Sequence, residues 1–131
     1  MAGIYFSQGD YDKTIEIFKD SDHPNDIHNR GLIYYRLREL EKALSCFIKA
    51  LDLIPNEATI LVSIGNVYKE KGENKNALDY YQRAIEIQEN SKSWEIAQTF
   101  NNIGLIYYTQ KEYNLAMNYF MKALDLVDLM K

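Results

Sequence analysis

The sequence has little of several residue types that mark other classes of protein. It has one cysteine in 131 residues, Cys46, so an internal disulfide cannot form, and it has no Asn-x-Ser/Thr glycosylation acceptor. Both absences favour a reducing, cytoplasmic setting over the secretory route. Two prolines and six glycines are too few for a collagen-like chain or for a strand-rich fold with many turns.

Long apolar runs and an excess of positive charge are also missing. No run approaches the roughly 18 apolar residues of a membrane span, and the first six residues have neither the basic nor the apolar part of a signal peptide. Fifteen Lys and Arg stand against nineteen Asp and Glu, which gives a net charge of −4. Because a protein that binds nucleic acid needs cations to neutralise the phosphates, we expect no nucleic-acid partner. Since no apolar run is long enough for a membrane span, we expect a soluble protein that does not bind membranes.

Sequence signatures of catalysis and cofactor binding are absent as well. The sequence contains no G-x-G-x-x-G, P-loop, G-x-S-x-G or H-E-x-x-H motif. The only potential soft metal ligands are His23, His28 and the distant Cys46, and nothing in the sequence supplies Cys46 with a histidine partner. The sequence therefore predicts a protein without enzymatic activity, cofactor or metal.

What the chain does have is an internal repeat. Gly31-Leu32-Ile33-Tyr34 recurs twice, first 34 and then 39 residues further on, as Gly65-Asn66-Val67-Tyr68 and Gly104-Leu105-Ile106-Tyr107. Alanine, an aromatic residue and alanine follow each glycine at the same offsets, as Ala43, Phe47 and Ala50, as Ala77, Tyr81 and Ala84, and as Ala116, Phe120 and Ala123. A shorter copy opens the chain at Tyr5, Thr14, Phe18 and Ser21.

Apolar residues within each copy fall at helical spacing, so each repeat is predicted to be a pair of helices. Gly9 and Gly72 lie in turn-prone stretches, where a glycine can end a helix in the left-handed conformation. The small residues at fixed positions should let the paired helices approach while aromatic rings fill the space beside them. The predicted helices span 1–8, 11–20, 25–38, 40–53, 57–71, 74–89, 93–109 and 112–130.

This pattern resembles the tetratricopeptide repeat, a 34-residue helix-turn-helix unit. Full repeats fit residues 24–57, 58–91 and 97–130, and a partial repeat fits residues 1–23. The resemblance implies an all-α fold, a right-handed superhelical solenoid of antiparallel helix pairs, as a single domain over 1–131. Arg30 in a leucine position, and Thr14 and Ser21 in alanine positions, depart from the family pattern.

The family resemblance also identifies candidate partner-binding residues, because the first helix of each repeat lines the concave groove of such proteins. The clamp of Lys, Arg and Asn with which chaperone-binding members hold a C-terminal carboxylate is missing at the matching positions. Several asparagines take its place, and they either read the backbone of an extended peptide or are merely solvated. The groove candidates are Asn25, His28, Asn29, Leu32, Tyr35, Arg36, Thr59, Ser63, Asn66, Lys69, Gln98, Asn101, Asn102, Leu105 and Tyr108.

The sequence thus predicts a non-catalytic interaction module or scaffold that binds an extended peptide or protein partner in its groove. Two alternatives remain open. One is a structural, self-associating subunit of a larger complex, and the other is a repeat-containing fragment of a larger signalling protein. Self-association would use apolar residues near the end of the last helix, which no later segment covers, namely Leu126, Val127, Leu129 and Met130.

Overall fold

The computed structural model describes residues 8–88 and 94–129, and these residues form α-helices joined by short turns. The helices are α1 (Gln8–Phe18), α2 (Pro24–Arg36), α3 (Leu40–Leu53), α4 (Ala58–Glu70), α5 (Asn74–Gln88), α6 (Trp94–Thr109) and α7 (Tyr113–Leu129). No strand occurs within these two ranges. The predicted all-α fold class is confirmed.

The helix boundaries agree with the sequence prediction except at the start of the chain. The predicted helix over 1–8 lies outside the described residues but for Gln8. Gly9 and Asp10, expected to form a turn, lie instead inside α1. The prediction of a left-handed glycine at Gly9 is therefore wrong, whereas Gly72 has a φ of 79° as expected.

The helices pack into two compact units, one ending at Pro55 and the other beginning at Asn56. In the first unit, α1 packs on α2, and α2 pairs with α3. In the second unit, α4 pairs with α5 and α6 pairs with α7, while α6 also contacts both α4 and α5. Because α6 touches all the other helices of the second unit, its residues are positioned to join the two hairpins.

Each hairpin closes tightly because a glycine on its first helix faces an aromatic ring on its second. A Cβ placed on that glycine would lie 2.6 Å from a ring carbon, closer than any real contact, in each of the three pairs Gly31–Phe47, Gly65–Tyr81 and Gly104–Phe120. This confirms the role that the sequence predicted for the three glycines.

The three turns within the hairpins share one backbone geometry. The middle residue of each turn is left-handed: Arg38 with φ 65°, Gly72 with φ 79° and Lys111 with φ 65°. The N–H group of the glutamate that follows donates 2.9 Å to the carbonyl of Tyr34, Tyr68 or Tyr107. This is the Schellman arrangement, in which backbone N–H groups after the helix bond to its last carbonyls. Only one of the three turns has glycine at the left-handed position.

Two departures from the family pattern have structural roles at the junction of α1 and α2. Arg30 Nη1 donates 2.7 Å to the carbonyl of Phe18, the last residue of α1. Ser21 Oγ donates 2.7 Å to Asp26 Oδ2 in the first turn of α2. Since these bonds satisfy a helix C-terminus and fix the connecting segment, polar residues are favoured at both positions.

No described helix combines the length and the apolar character required to cross a membrane.

Candidate functional site

Four of the second unit's side chains form a connected polar cluster across α4, α5 and α6. Lys69 Nζ donates to Asn102 Oδ1 over 3.5 Å, and Asn102 Nδ2 donates to Asn66 Oδ1 over 3.2 Å. The hydroxyl of Tyr81 donates a short hydrogen bond to the same Asn66 Oδ1. We call Asn66, Lys69, Tyr81 and Asn102 the asparagine cluster. It brings together three residues that the sequence had placed in the groove, and it adds Tyr81.

The orientation of both amides in the asparagine cluster follows from the chemistry of their neighbours. An ammonium group can only donate, so the Asn102 atom facing Lys69 is the oxygen, and its nitrogen faces Asn66. The Asn66 atom that receives this nitrogen and the Tyr81 hydroxyl is then an oxygen as well. Both amide oxygens already accept hydrogen bonds, whereas Lys69 Nζ and both amide nitrogens keep hydrogens to donate.

Lys69 is the charged member of the asparagine cluster and lies half-buried at its edge. Burial lowers the pKa of the Lys69 ammonium below its ordinary value, and the nearby carboxylate of Glu70 only partly opposes this. Within the described part of the chain, no carboxylate forms a salt bridge with Lys69. Lys69 lines an open hollow of about 280 Å³ together with Asn74, Leu105, Ile106 and Thr109.

Other predicted groove residues of the second unit lie elsewhere. Ser63 is only 7% exposed and donates its hydroxyl 3.1 Å to the carbonyl of Thr59, so the expectation that it lines an open surface is corrected. Tyr108 is exposed and packs edge-on against Tyr113, with ring centroids 5.3 Å apart. Thr59 itself is exposed on α4.

Gln98 and Asn101 belong to a different hollow, which lies between α6 and α7 and measures about 310 Å³. Asn101 lies on another side of α6 from Asn102, because one residue along a helix turns the side chain by about 100°. Gln98 is four residues before Asn102 and therefore lies on the same side of α6, about one turn earlier. The α6–α7 hollow is lined by Trp94, Ala97, Gln98, Asn101, Phe120, Ala123, Leu124 and Val127. The predicted first-helix surface of this unit is therefore split between two sites.

Three of the six groove candidates of the first unit line a third hollow, of about 230 Å³. Asn29, Leu32 and Arg36 of α2 line it together with Tyr11, Thr14, Phe18 and Ile33. Tyr35 is half-buried and Asn25 is exposed at the start of α2. The sequence reasoning missed the contribution of α1 to this hollow.

The histidines and the cysteine have structural roles. His23 caps α2 by accepting the backbone N–H of Asn25 at its Nδ1 over 3.3 Å, and the ring of His28 lies 5.3 Å from the ring of Phe47. Cys46 is buried. Over the described residues, no three His, Cys, Asp or Glu side chains are grouped to hold a metal ion.

The apolar residues predicted to mediate self-association are only partly the exposed ones. Leu126 and Val127 are half-buried, while Met130 and the side chain of Leu129 lie outside the described residues. Among the described side chains of α7, the exposed large apolar ones are Tyr113, Leu115, Met117, Met121 and Leu124.

Comparison with known proteins agrees with this organisation. The sequence profile of the tetratricopeptide repeat matches residues 25–90 and 56–128. General transcription factor 3C polypeptide 3 of Homo sapiens is 26% identical over 90% of this chain, and Anaphase-promoting complex subunit 6 of Dictyostelium discoideum is 29% identical over 71% of it. The chain spans only 14% and 10% of the lengths of these two relatives.

A solved structure shares the fold. The crystal structure of MamA superposes with a TM-score of 0.81 at 24% sequence identity, covering 93% of this chain and 71% of MamA. At this identity the likeness concerns the arrangement of the helices.

Proposed function

Because the chain belongs to the tetratricopeptide repeat family, we propose that it is a non-catalytic interaction module that binds an extended segment of a partner protein. The binding surface is the face that α4 and α6 form in the second unit. The names of two relatives, a polypeptide of a general transcription factor and a subunit of the anaphase-promoting complex, describe parts of larger assemblies, and this supports an interaction role.

The asparagine cluster is the observation that carries this proposal. An extended peptide presents backbone carbonyls that need donors once water is displaced. The cluster holds its amides in place through internal bonds and leaves donors unused, so little side-chain entropy is lost when a partner binds. Leu105 lies beside the cluster with 45% of its surface exposed and offers an apolar contact for a partner side chain.

A random library of 12-residue peptides displayed on phage supplies the probe for a test. Peptides selected on the whole chain are synthesised, and their affinities are measured by calorimetry for Leu105→Arg and for a matched control, Ile87→Arg, whose native side chain is also 45% exposed but lies on α5. We expect Leu105→Arg to weaken binding at least tenfold, about 1.4 kcal/mol, and the control to bind normally. Failure to select any peptide, or equal affinities for both variants, would contradict the proposal.

Asn66 is unsuitable as a simple binding variant. Replacing it with Ala removes the acceptor of the buried Tyr81 hydroxyl, so stability falls together with binding.

Self-association is a second candidate function, favoured by the α6–α7 hollow. Trp94 and Leu124 line this hollow, and both are more than half exposed. The residues equivalent to Phe120 and Leu124 in the preceding hairpin are Tyr81 and Ile85, which α6 helps to cover. A second copy of the chain placed on α7 would give its hairpin the same kind of cover.

A further inference from the structure

The asparagine cluster has an unequal supply of hydrogen-bond donors and acceptors. Asn66 Oδ1 accepts twice and Asn102 Oδ1 accepts once, all from groups within the protein. Lys69 Nζ and the two amide nitrogens retain hydrogens that no described group uses. A surface that offers several donors and a positive charge is complementary to an acceptor that carries negative charge.

We propose that Lys69 and Asn102 form a subsite for a single acidic side chain, Asp or Glu, of the partner segment. The inference rests on the proposed function, since it names the chemistry of the partner at one point of the α4–α6 face. One carboxylate can accept hydrogen bonds from the Lys69 ammonium and the Asn102 amide together.

The electrostatics of the site support an acidic ligand. Lys69 is half-buried without a salt bridge, and its desolvation destabilises the charged form. An arriving carboxylate supplies the counter-ion that the folded chain does not place there. Since the pair would form in a partly desolvated hollow, the attraction is screened less than between two exposed charges.

The same features argue for a carboxylate side chain over other anions. A phosphate group carries nearly two charges at neutral pH and is typically met by several cations, whereas this hollow contains one. Leu105, Ile106 and Thr109 continue the surface along α6, so there is room and apolar contact for the chain to run past the acidic residue. We therefore place the acid within the partner segment, followed or preceded by an apolar residue.

The experiment uses synthetic octapeptide pools on an array, probed with the whole chain. In matched pools the central residue is fixed as Asp or Glu in one set and as the uncharged isostere Asn or Gln in the other, with all other positions randomised and the C-termini amidated. We expect the acidic set to bind at least tenfold more tightly. Lys69→Gln should reduce this preference to threefold or less, while Lys69→Arg should retain most of it.

Lys75→Gln is the matched control, because it removes the same charge from an exposed position on α5. It should leave the acidic preference unchanged, which separates a local pair from the effect of net charge. A measurement on the unmodified protein tests the same pair without relying on a variant that could misfold. The pKa of Lys69 followed by NMR should rise when the best acidic peptide binds, and it should stay constant or fall with the amide twin, which covers the ammonium without supplying a negative charge.

The outcomes separate the two proposals. If peptides bind without an acidic preference, or if the preference survives Lys69→Gln, the subsite is wrong and the α4–α6 binding face stands. The subsite is also wrong if only a free C-terminal carboxylate, tested in pools with unblocked ends, gives the preference. If no pool binds at all, the proposed function fails together with this inference.

Discussion

The α4–α5 and α6–α7 hairpins have the same interior but different exteriors. Inside both, a glycine makes room for an aromatic ring at the same 2.6 Å approach. Both also contain a pair of stacked tyrosines with centroids 5.7 Å apart, Tyr68 on Tyr80 at 17° and Tyr107 on Tyr119 at 19°. The repeated residues therefore specify the hairpin itself almost without regard to what surrounds it.

The second helices of the two hairpins differ in their cover, because α6 packs on α5, whereas among the described helices only α6, of its own hairpin, packs on α7. Tyr81 is completely buried and Ile85 half-buried, since α6 packs on α5. At the equivalent positions of the last hairpin, Phe120 is only half-buried and Leu124 is 52% exposed. The burial of a side chain in a repeat protein thus depends on whether another hairpin packs on it. Residues at equivalent repeat positions can therefore contribute very differently to the free energy of unfolding.

Truncating the two equivalent rings should have the largest effect and should show the difference in burial directly. Tyr81→Ala leaves a cavity in a fully buried site and should cost about 4 kcal/mol, while Phe120→Ala should cost roughly 2 kcal/mol because water already reaches that ring. Urea unfolding of the whole chain, followed by circular dichroism, measures both values. Equal losses would mean that Phe120 is as well covered in solution as Tyr81.

The second-largest effect should come from substitutions in the α6–α7 hollow, if a second copy of the chain packs there. If a second copy covers the α6–α7 hollow, sedimentation over a hundredfold concentration range should show self-association, and Leu124→Glu should weaken it more than tenfold. Leu53→Glu is the control, because Leu53 on α3 is also about half exposed, at 50%. A chain that stays monomeric throughout, or an equal response to both substitutions, would show that the hollow is not an interface between copies.

Most of the fold could be predicted because the information for each hairpin is local. The glycines at 31, 65 and 104 with their aromatic partners sixteen residues later define the helix pairs, and helical spacing defines their approximate ends. The turn predicted at Gly9 failed because a glycine permits a left-handed turn without requiring one. Arg38 and Lys111 were missed for the opposite reason, since the hairpin imposes the left-handed conformation on ordinary residues.

The candidate site could be predicted only in part. The family resemblance placed Asn66, Lys69 and Asn102 on one surface, but it could not show that they bond to each other, because that depends on how α6 packs on α4. A usable signal did exist. The repeats with Phe47 and Phe120 have leucine after their glycine, whereas the repeat with Tyr81 has Asn66 there, which pairs a hydroxyl with an acceptor.

The smallest expected effect concerns the turns of the two hairpins, where Gly72 and Lys111 occupy the same left-handed position. A residue with a Cβ is strained at this φ, and glycine recovers only part of that cost because it loses more backbone entropy on folding. Lys111→Gly should therefore stabilise the chain by about 0.5–1 kcal/mol, and Gly72→Lys should destabilise it by a similar amount. A steric clash does not contribute at Gly72, since a Cβ there would have no neighbour within 4 Å.

Lys111→Ala separates backbone strain from the loss of the lysine charge, because it removes the charge and keeps the Cβ. Urea titration should give Lys111→Ala nearly the stability of the unmodified chain, and a gain as large as that of Lys111→Gly would assign the effect to charge.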